Sequence, residues 1–191
     1  MWDLEALKSE YKKHVPEVLF EHNLRVTKLA GELAEKFGAD RDRAEVTGLV
    51  HDIAFPRDEE LVPLAEQYGV RITPVERNAP ILLHGPVGAH LITKFLGLSD
   101  EDICEAVRWH TTGRENASEL EKIVFLSDKM DVTSDDDGHL SEIKEALEES
   151  LDKAVLVCVN QIIPYQLQQG FALHPDLVAM RNEIILKSKV K

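Results

Sequence analysis

Apolar residues along most of this chain return every three, four and seven positions, and no convincing run alternates them in twos. That period belongs to helices. Residues 17–37 carry it most plainly, with Val18, Val26, Leu29, Leu33 and Phe37 on one stripe and Gly38 as the stop. The same reading predicts an amphipathic opening over 3–13. Asp40 caps a helix that runs to about Ala54, and Pro56 and Asp58 break and restart the chain before Gly69. Residues 70–80 read as a connection with one helical turn. A helix then ends at Gly97, Ser99 and Asp102 form a capping-box pattern for a helix through His110, and Ser118 caps one to about Met130. SDDDG reads as a loop, 140–169 as one long helix, and a last helix follows Pro175. With no internal repeat or low-complexity linker, the expectation is an all-α bundle of seven to nine helices, one domain over residues 1–191.

Several titratable residues stand on these apolar faces where leucine would be expected. His22 is four residues from Val18 and from Val26. His51 follows Thr47 by four and Ala44 by seven. His110 follows Val107, Ala106 and Ile103 by three, four and seven, and Asp128 follows Val124 by four. An unpaired buried carboxylate costs several kcal/mol. A single inward histidine is ordinarily a hydrogen-bonded core residue. Four such groups on four helices, with Asp52 beside His51, are a set that can converge on one cavity, and imidazole and carboxylate are usual ligands for Fe, Mn, Zn or Co. Neighbours on a helix point about 100° apart, so His51 can serve one ion while Asp52 reaches a second. Ion pairs about 3.5–4 Å apart recur in phosphoester hydrolysis.

His84, in LLHGPVG, is either a further member of this set or a histidine at a helix start with no task. Gly85 and Gly88 beside it allow close backbone approach to a ligand. His90 is six residues from His84, a poor helical match, and His14, His139 and His174 fall in polar or loop contexts; none reads as a ligand. Trp109 either packs behind the site or stacks on a base.

Charge narrows the function. The formal net charge is −13, with no long basic cluster. Such a surface repels nucleic acid, so no nucleic-acid partner is expected. Any phosphate-bearing substrate needs positive charge supplied locally, and metal ions are the natural source. No apolar run approaches the roughly 20 residues of a membrane span. The opening MWDLEALKSEYKKH lacks the apolar core of a signal peptide. A cytoplasmic protein away from membranes is expected. Cys104 and Cys158, with no CxxC, read as small packing residues.

The order His22, His51-Asp52, His84, His110, Asp128 resembles the HD-domain metal phosphohydrolases, an all-α superfamily named for the His-Asp pair. EHNLRV, GLVHDIA, ILLHGPVGA, AVRWHTTGRENASELEKIVFLSDK and ALHPDLVAMRN together resemble the YqeK family of symmetrical diadenosine tetraphosphatases. The likeness runs over residues 15 to 182. It implies two metal ions, iron first, with Mn, Co, Ni or Zn as alternatives. His22, His51, Asp52 and Asp128 would hold one; Asp52, His84 and His110, the residues expected to be catalytic, would hold the other. A metal-activated hydroxide would attack phosphorus. Thr111, Thr112, Gly113 and Arg114 would contact substrate phosphates. Lys129 is either a further cation for them or a solvated lysine.

Two positions depart from the family pattern. Leu19 stands where an arginine is common, three residues before the first histidine. DKMDVTSD replaces a pattern with glutamate and a later arginine, putting Asp131 at the glutamate position. Arginine is the usual bidentate partner of phosphate, so the substrate pocket is expected to differ more than the metal site. Three readings follow: symmetrical cleavage of diadenosine tetraphosphate to two ADP, hydrolysis of another nucleotide or phosphoester, or a nucleotide-binding helical module without turnover. The C-terminal helices are amphipathic enough for either intramolecular packing or a homodimer seam.

Overall fold

The computed structural model describes residues 2–132 and 138–188, the side chains of Pro56 and Asp58 excepted. Among them there are eleven α-helices and no strand. They are α1 Leu4–Tyr11, α2 Glu17–Phe37, α3 Arg41–Val50, α4 Leu61–Gln67, α5 Pro74–Asn78, α6 His84–Leu96, α7 Glu101–Trp109, α8 Glu119–Val132, α9 His139–Glu149, α10 Leu151–Gln168 and α11 Pro175–Ser188. Two 3-10 turns, Phe55–Glu60 and Pro80–Leu83, join the short pieces. The all-α expectation holds. The helix count exceeds seven to nine because α5, only five residues long, shows no stripe of its own, and because 140–169 is two helices. Ser150 divides them: it is extended, and its hydroxyl accepts from the Lys153 N–H to start α10. The SDDDG segment falls mainly on residues 133–137, outside the described residues.

The stops are those glycine chemistry dictates. Gly38 and Gly97 close α2 and α6 with φ of 75° and 67°. Asp40 caps α3 by accepting from the Arg43 N–H. The start of α7 differs from expectation. Asp100, not Ser99, is its cap and accepts from the Ile103 N–H. Ser118 and Glu121 exchange reciprocal hydrogen bonds at the start of α8.

Two apolar cores result. One joins α2, α8, α9, α10 and α11 through residues such as Leu33, Ile123, Leu126 and Val155. The other joins α1, α3, α6 and α7 through Tyr11, Leu49, Leu91 and Ile103. Helices α2, α3 and α7 contribute to both, through Ala30, Ala44 and Ala106 on one side and Phe20, Val46 and Val107 on the other. Val18 departs from its stripe: it is 81% exposed, so the buried face of α2 begins at Phe20 rather than at Val18.

Glycine sets the distance between helices beside the polar residues. A Cβ on Gly48 would lie 3.0 Å from the Thr27 backbone on α2, and one on Gly85 would lie 2.6 Å from the Arg108 carbonyl oxygen on α7. Gly88 faces the Val107 side chain and the His51 carbonyl. The close approach that Gly85 and Gly88 permit in this structure is to α7, at the Arg108 carbonyl and the Val107 side chain.

Candidate metal centre

Three of the candidate histidines occupy helix ends, as the sequence reading has it for His84 and His110 but not for His51, which it places inside a helix running to about Ala54. His51 follows α3 directly, His110 follows α7, and His84 opens α6. The expected extension of α3 to Ala54 is therefore shortened; residues 51–54 are turns. Each ring is fixed by one local device: Nδ1–H donates to the carbonyl three residues earlier. His51 donates to Gly48 O at 2.8 Å, His110 to Val107 O at 2.8 Å, and His84 to Ile81 O. For His51 and His110 these carbonyls lie in the last turn of a helix, where they lack intrahelical partners. A carbonyl can only accept, so the proton is on Nδ1 and Nε2 faces inward. The buried Asn23 amide also lies 3.2 Å from His51 Nδ1.

His22, within α2, is held differently. Its Nδ1 donates to Asp131 Oδ2 at 2.7 Å, and Arg25 grips the same carboxylate through Nε at 2.8 Å and Nη2 at 2.9 Å. The Asp131 carboxyl is held below its ordinary range by Arg25 and His22, against its partial burial.

Four Nε2 atoms and two carboxylates then meet. Asp52 Oδ2 lies 3.4 Å from His51 Nε2 and 3.8 Å from His22 Nε2. Its Oδ1 lies 3.4 Å from both His84 Nε2 and His110 Nε2. Asp128 Oδ1 is 3.3 Å from His22 Nε2 and 3.7 Å from His51 Nε2. The sets His22–His51–Asp128 and His51–Asp52–His110 each bring their ligand atoms within 4.8 Å of one another. All six side chains are buried or nearly so.

The donor set fits a cation. His84 Nε2 and His110 Nε2 are 2.9 Å apart. With Nδ1 protonated in both rings, two lone pairs repel at that distance, and two further protons would set cation against cation. His51 Nε2 is fully buried without a hydrogen-bond partner, a costly state for a polar atom. A positive centre between these nitrogens and the carboxylates satisfies all of them, and His/Asp donors suit Fe, Mn, Co, Ni and Zn alike. Titration is split across the cluster. Burial works against the His51 imidazolium, yet Asp52 and Asp128 raise it to about 10. Burial, with His84 and His51 close by, lowers His110 to about 4. Both carboxyls are held well below their usual range despite burial, Asp52 chiefly by His51 and Asp128 chiefly by Lys129.

The cluster opens into a cavity of about 440 Å³ bordered by Leu19, Phe55, Ile81, Thr111, Lys129 and Val132. Thr111 Oγ1 lies 3.0 Å from both His84 Nε2 and His110 Nε2, and Lys129 Nζ donates to Asp128 Oδ2 at 2.6 Å. Lys129 is thus beside the site rather than on open surface. The rest of its turn is turned elsewhere. Thr112 Oγ1 donates to Gly113 O, and Gly113, at φ 62°, packs under Met180 of α11. Arg114, expected to contact phosphate, is gripped by the buried Glu121 through Nε at 2.7 Å and Nη2 at 2.8 Å, and it lies over the Trp109 ring. Trp109 donates to Glu105. A larger cavity of about 640 Å³ adjoins the first, sharing Leu19, His22 and Phe55 and adding Val18, Arg57, Glu59 and Glu60.

Among the other histidines, His90 stacks on Tyr68, His14 on Phe95, and His174 is buried 3.8 Å from Glu76. Sequence reasoning gave Arg25 and Asn23 no role and noted Asp131 only as a departure. The available signal was spacing: Arg25 and Asp131 each follow a candidate ligand by three residues, on its helical face.

Comparison with known proteins agrees with this geometry. Residues 19–133 match the HD domain family model. A protein of Halalkalibacterium halodurans named symmetrical bis(5'-nucleosyl)-tetraphosphatase is 31% identical, over 93% of this chain and 95% of its own length. A Bacillus subtilis protein of the same name is 30% identical, over 91% and 93%. A Clostridium acetobutylicum crystal structure, described as a predicted HD superfamily hydrolase involved in NAD metabolism, superposes with a TM-score of 0.90. It is 31% identical and covers 98% of this chain and 99% of its own. The chain belongs to the HD-domain family and is a hydrolase of that superfamily.

Proposed function

We propose that this protein cleaves diadenosine tetraphosphate symmetrically into two ADP at a centre of two metal ions, iron in the first instance. The observation that carries the reading is Asp52. One of its oxygens faces His22 and His51, the other faces His84 and His110, the disposition a bridging carboxylate needs. His22, His51, Asp52 and Asp128 would hold one ion, and Asp52, His84 and His110 the other. Bound there, the ions would lower the pKa of water and neutralise charge on the transferring phosphoryl group. The names of the relatives with near-complete overlap support the substrate.

The chain's own groups supply the rest. The Nδ1–H bonds hold every Nε2 lone pair inward and fix ring orientation before substrate arrives. Lys129, paired with Asp128, adds positive charge at the cavity wall. Thr111 offers a hydroxyl beside His84 and His110 for a phosphate oxygen. The test is product analysis: iron- or cobalt-loaded protein with diadenosine tetraphosphate, the nucleotides resolved by ion exchange. ADP alone is the expected product. ATP with AMP would place the polyphosphate in a shifted register, and no turnover by metal-bearing protein would refute the substrate.

A second reading, hydrolysis of a different nucleotide or phosphoester, is favoured by two observations: Leu19 at the cavity mouth, and an Arg114 committed to Glu121. Both remove guanidinium from the phosphate path.

A further inference from the structure

We infer that His174, at the start of α11, is a positioning residue for the His84 side of the centre, acting through Glu76 and the short chain segment that leads from it to His84. It rests on the reading of His84 as a metal ligand. Of the three rings that donate to a carbonyl, His84 has the least self-supporting backbone. The carbonyls serving His51 and His110 belong to α-helices of ten and nine residues. Ile81 O, which accepts from both the ring Nδ1–H and the backbone N–H of His84, belongs to a 3-10 turn of four residues. The helix before that turn, α5, has only five. Helices so short do not hold themselves together in water, so the Ile81 carbonyl stays where tertiary contacts put it.

His174 and Glu76 supply such a contact, and both are buried, at 5% and 6% exposure. His174 Nδ1 accepts from the Asp176 N–H at 3.3 Å and so caps α11. A ring nitrogen that accepts carries no proton, which leaves Nε2–H turned to Glu76 Oε1, 3.8 Å away, with no hydrogen bond elsewhere. The other Glu76 oxygen accepts from the Thr73 N–H at 2.6 Å, and Thr73 Oγ1 accepts from the Glu76 N–H at 3.2 Å, so this carboxylate fixes the start of α5. The chain then passes straight into the turn: the Ala79 N–H donates to Val75 O and the Leu82 N–H to Ala79 O. A buried carboxylate is costly unless paired, and here the pairing ties α5 to the C-terminal helix. That helix also adjoins the segment that follows His110. Met180 packs on Gly113, and Glu183 Oε2 accepts from the Asn116 N–H at 2.7 Å.

The test sets His174→Asn against His174→Gln. Asparagine keeps an acceptor for the cap and is too short to reach Glu76; glutamine returns an amide N–H toward Glu76. His174→Asn should bind cobalt about 10-fold more weakly, read by chelator competition, and its metal-free form should exchange amide hydrogens faster over residues 79–84. His174→Gln should restore both. Glu76→Gln keeps an acceptor for the Thr73 N–H but can turn an amide against the His174 N–H; it should resemble His174→Asn, and it decides the matter if that variant does not fold. Unaltered cobalt affinity in His174→Asn, as a cap alone would give, overturns the inference. So does an equal loss in both His174 variants, as a packing defect would give, or a loss of affinity without faster exchange over 79–84. His84→Ala is the control. Unchanged cobalt affinity there rejects His84 as a ligand, and exchange over 79–84 then decides the positioning role alone.

Discussion

The two ends of the histidine cluster are built by different means. His51, His84 and His110 are oriented by carbonyls three residues back in their own chain segments. His22 is oriented by Asp131, which is 109 residues away in sequence and is itself held by Arg25. The first arrangement forms wherever the local backbone forms. The second requires α2 and α8 to be docked. It also places a charge behind the ring: an imidazole that donates to a carboxylate is a more basic ligand than one that donates to an amide carbonyl. The His22 end therefore depends on a charged side chain behind its ring, whereas the other three rings donate to backbone carbonyls that no substitution removes.

The most damaging way to challenge this contrast is Asp52→Ala, which removes the carboxylate whose two oxygens face the two ends. Turnover and bound metal should both be lost, measured by product assay and elemental analysis, while far-ultraviolet circular dichroism stays helical. Full activity in that variant would mean that the site is misassigned. Asp131→Ala should act on one end only, weakening metal affinity by about 10–100-fold, read by competition with a chromophoric chelator. Complete loss of bound metal would show that the two ends are not separable. Arg25→Ala should cost less, a few-fold, because Asp131 still accepts from His22. Arg25 is exposed, so high salt applied to the unaltered protein should reproduce part of the loss. An effect as large as that of Asp131→Ala would make the guanidinium the principal anchor. The smallest effect on turnover is expected from Arg114→Gln. Its cost of about 1–3 kcal/mol falls on stability, since buried Glu121 loses its charged partner, and it is measured as a lower melting temperature. A raised KM with unchanged melting would return Arg114 to the phosphate path.

Four of the six candidate ligands, His22, His51, His110 and Asp128, were legible because each breaks an apolar pattern, and a broken pattern is visible in a single sequence. Asp52 was read from its place beside His51, and His84 was assigned only through the family resemblance. Arg25 and Asp131 did not stand out, since an arginine and an aspartate on a helix normally mark a solvated face; only their mutual geometry gives them a task. Helix ends were legible at Gly38 and Gly97, where the stop is covalent in origin, and less so at Ser150, where an extended serine interrupts a stripe that continues on both sides. Val18 shows the reverse error. Spacing places it with Val26 and Leu29, but the core ends at Phe20 and leaves Val18 beside a cavity. Periodicity reports which residues share a face, and it does not report how far along a helix its neighbours reach.

Gly48 and Gly85 carry a consequence for anyone who would transplant this centre. A designer who copied only the histidines and aspartates onto another helical scaffold would carry the donors without the spacing that lets them meet. Alanine at either glycine would push a Cβ into another helix's backbone, prising apart the supports of His51 and His84. The portable unit is the ligand set together with two absent methyl groups, and a graft that omits the glycines should fail even with every donor atom present.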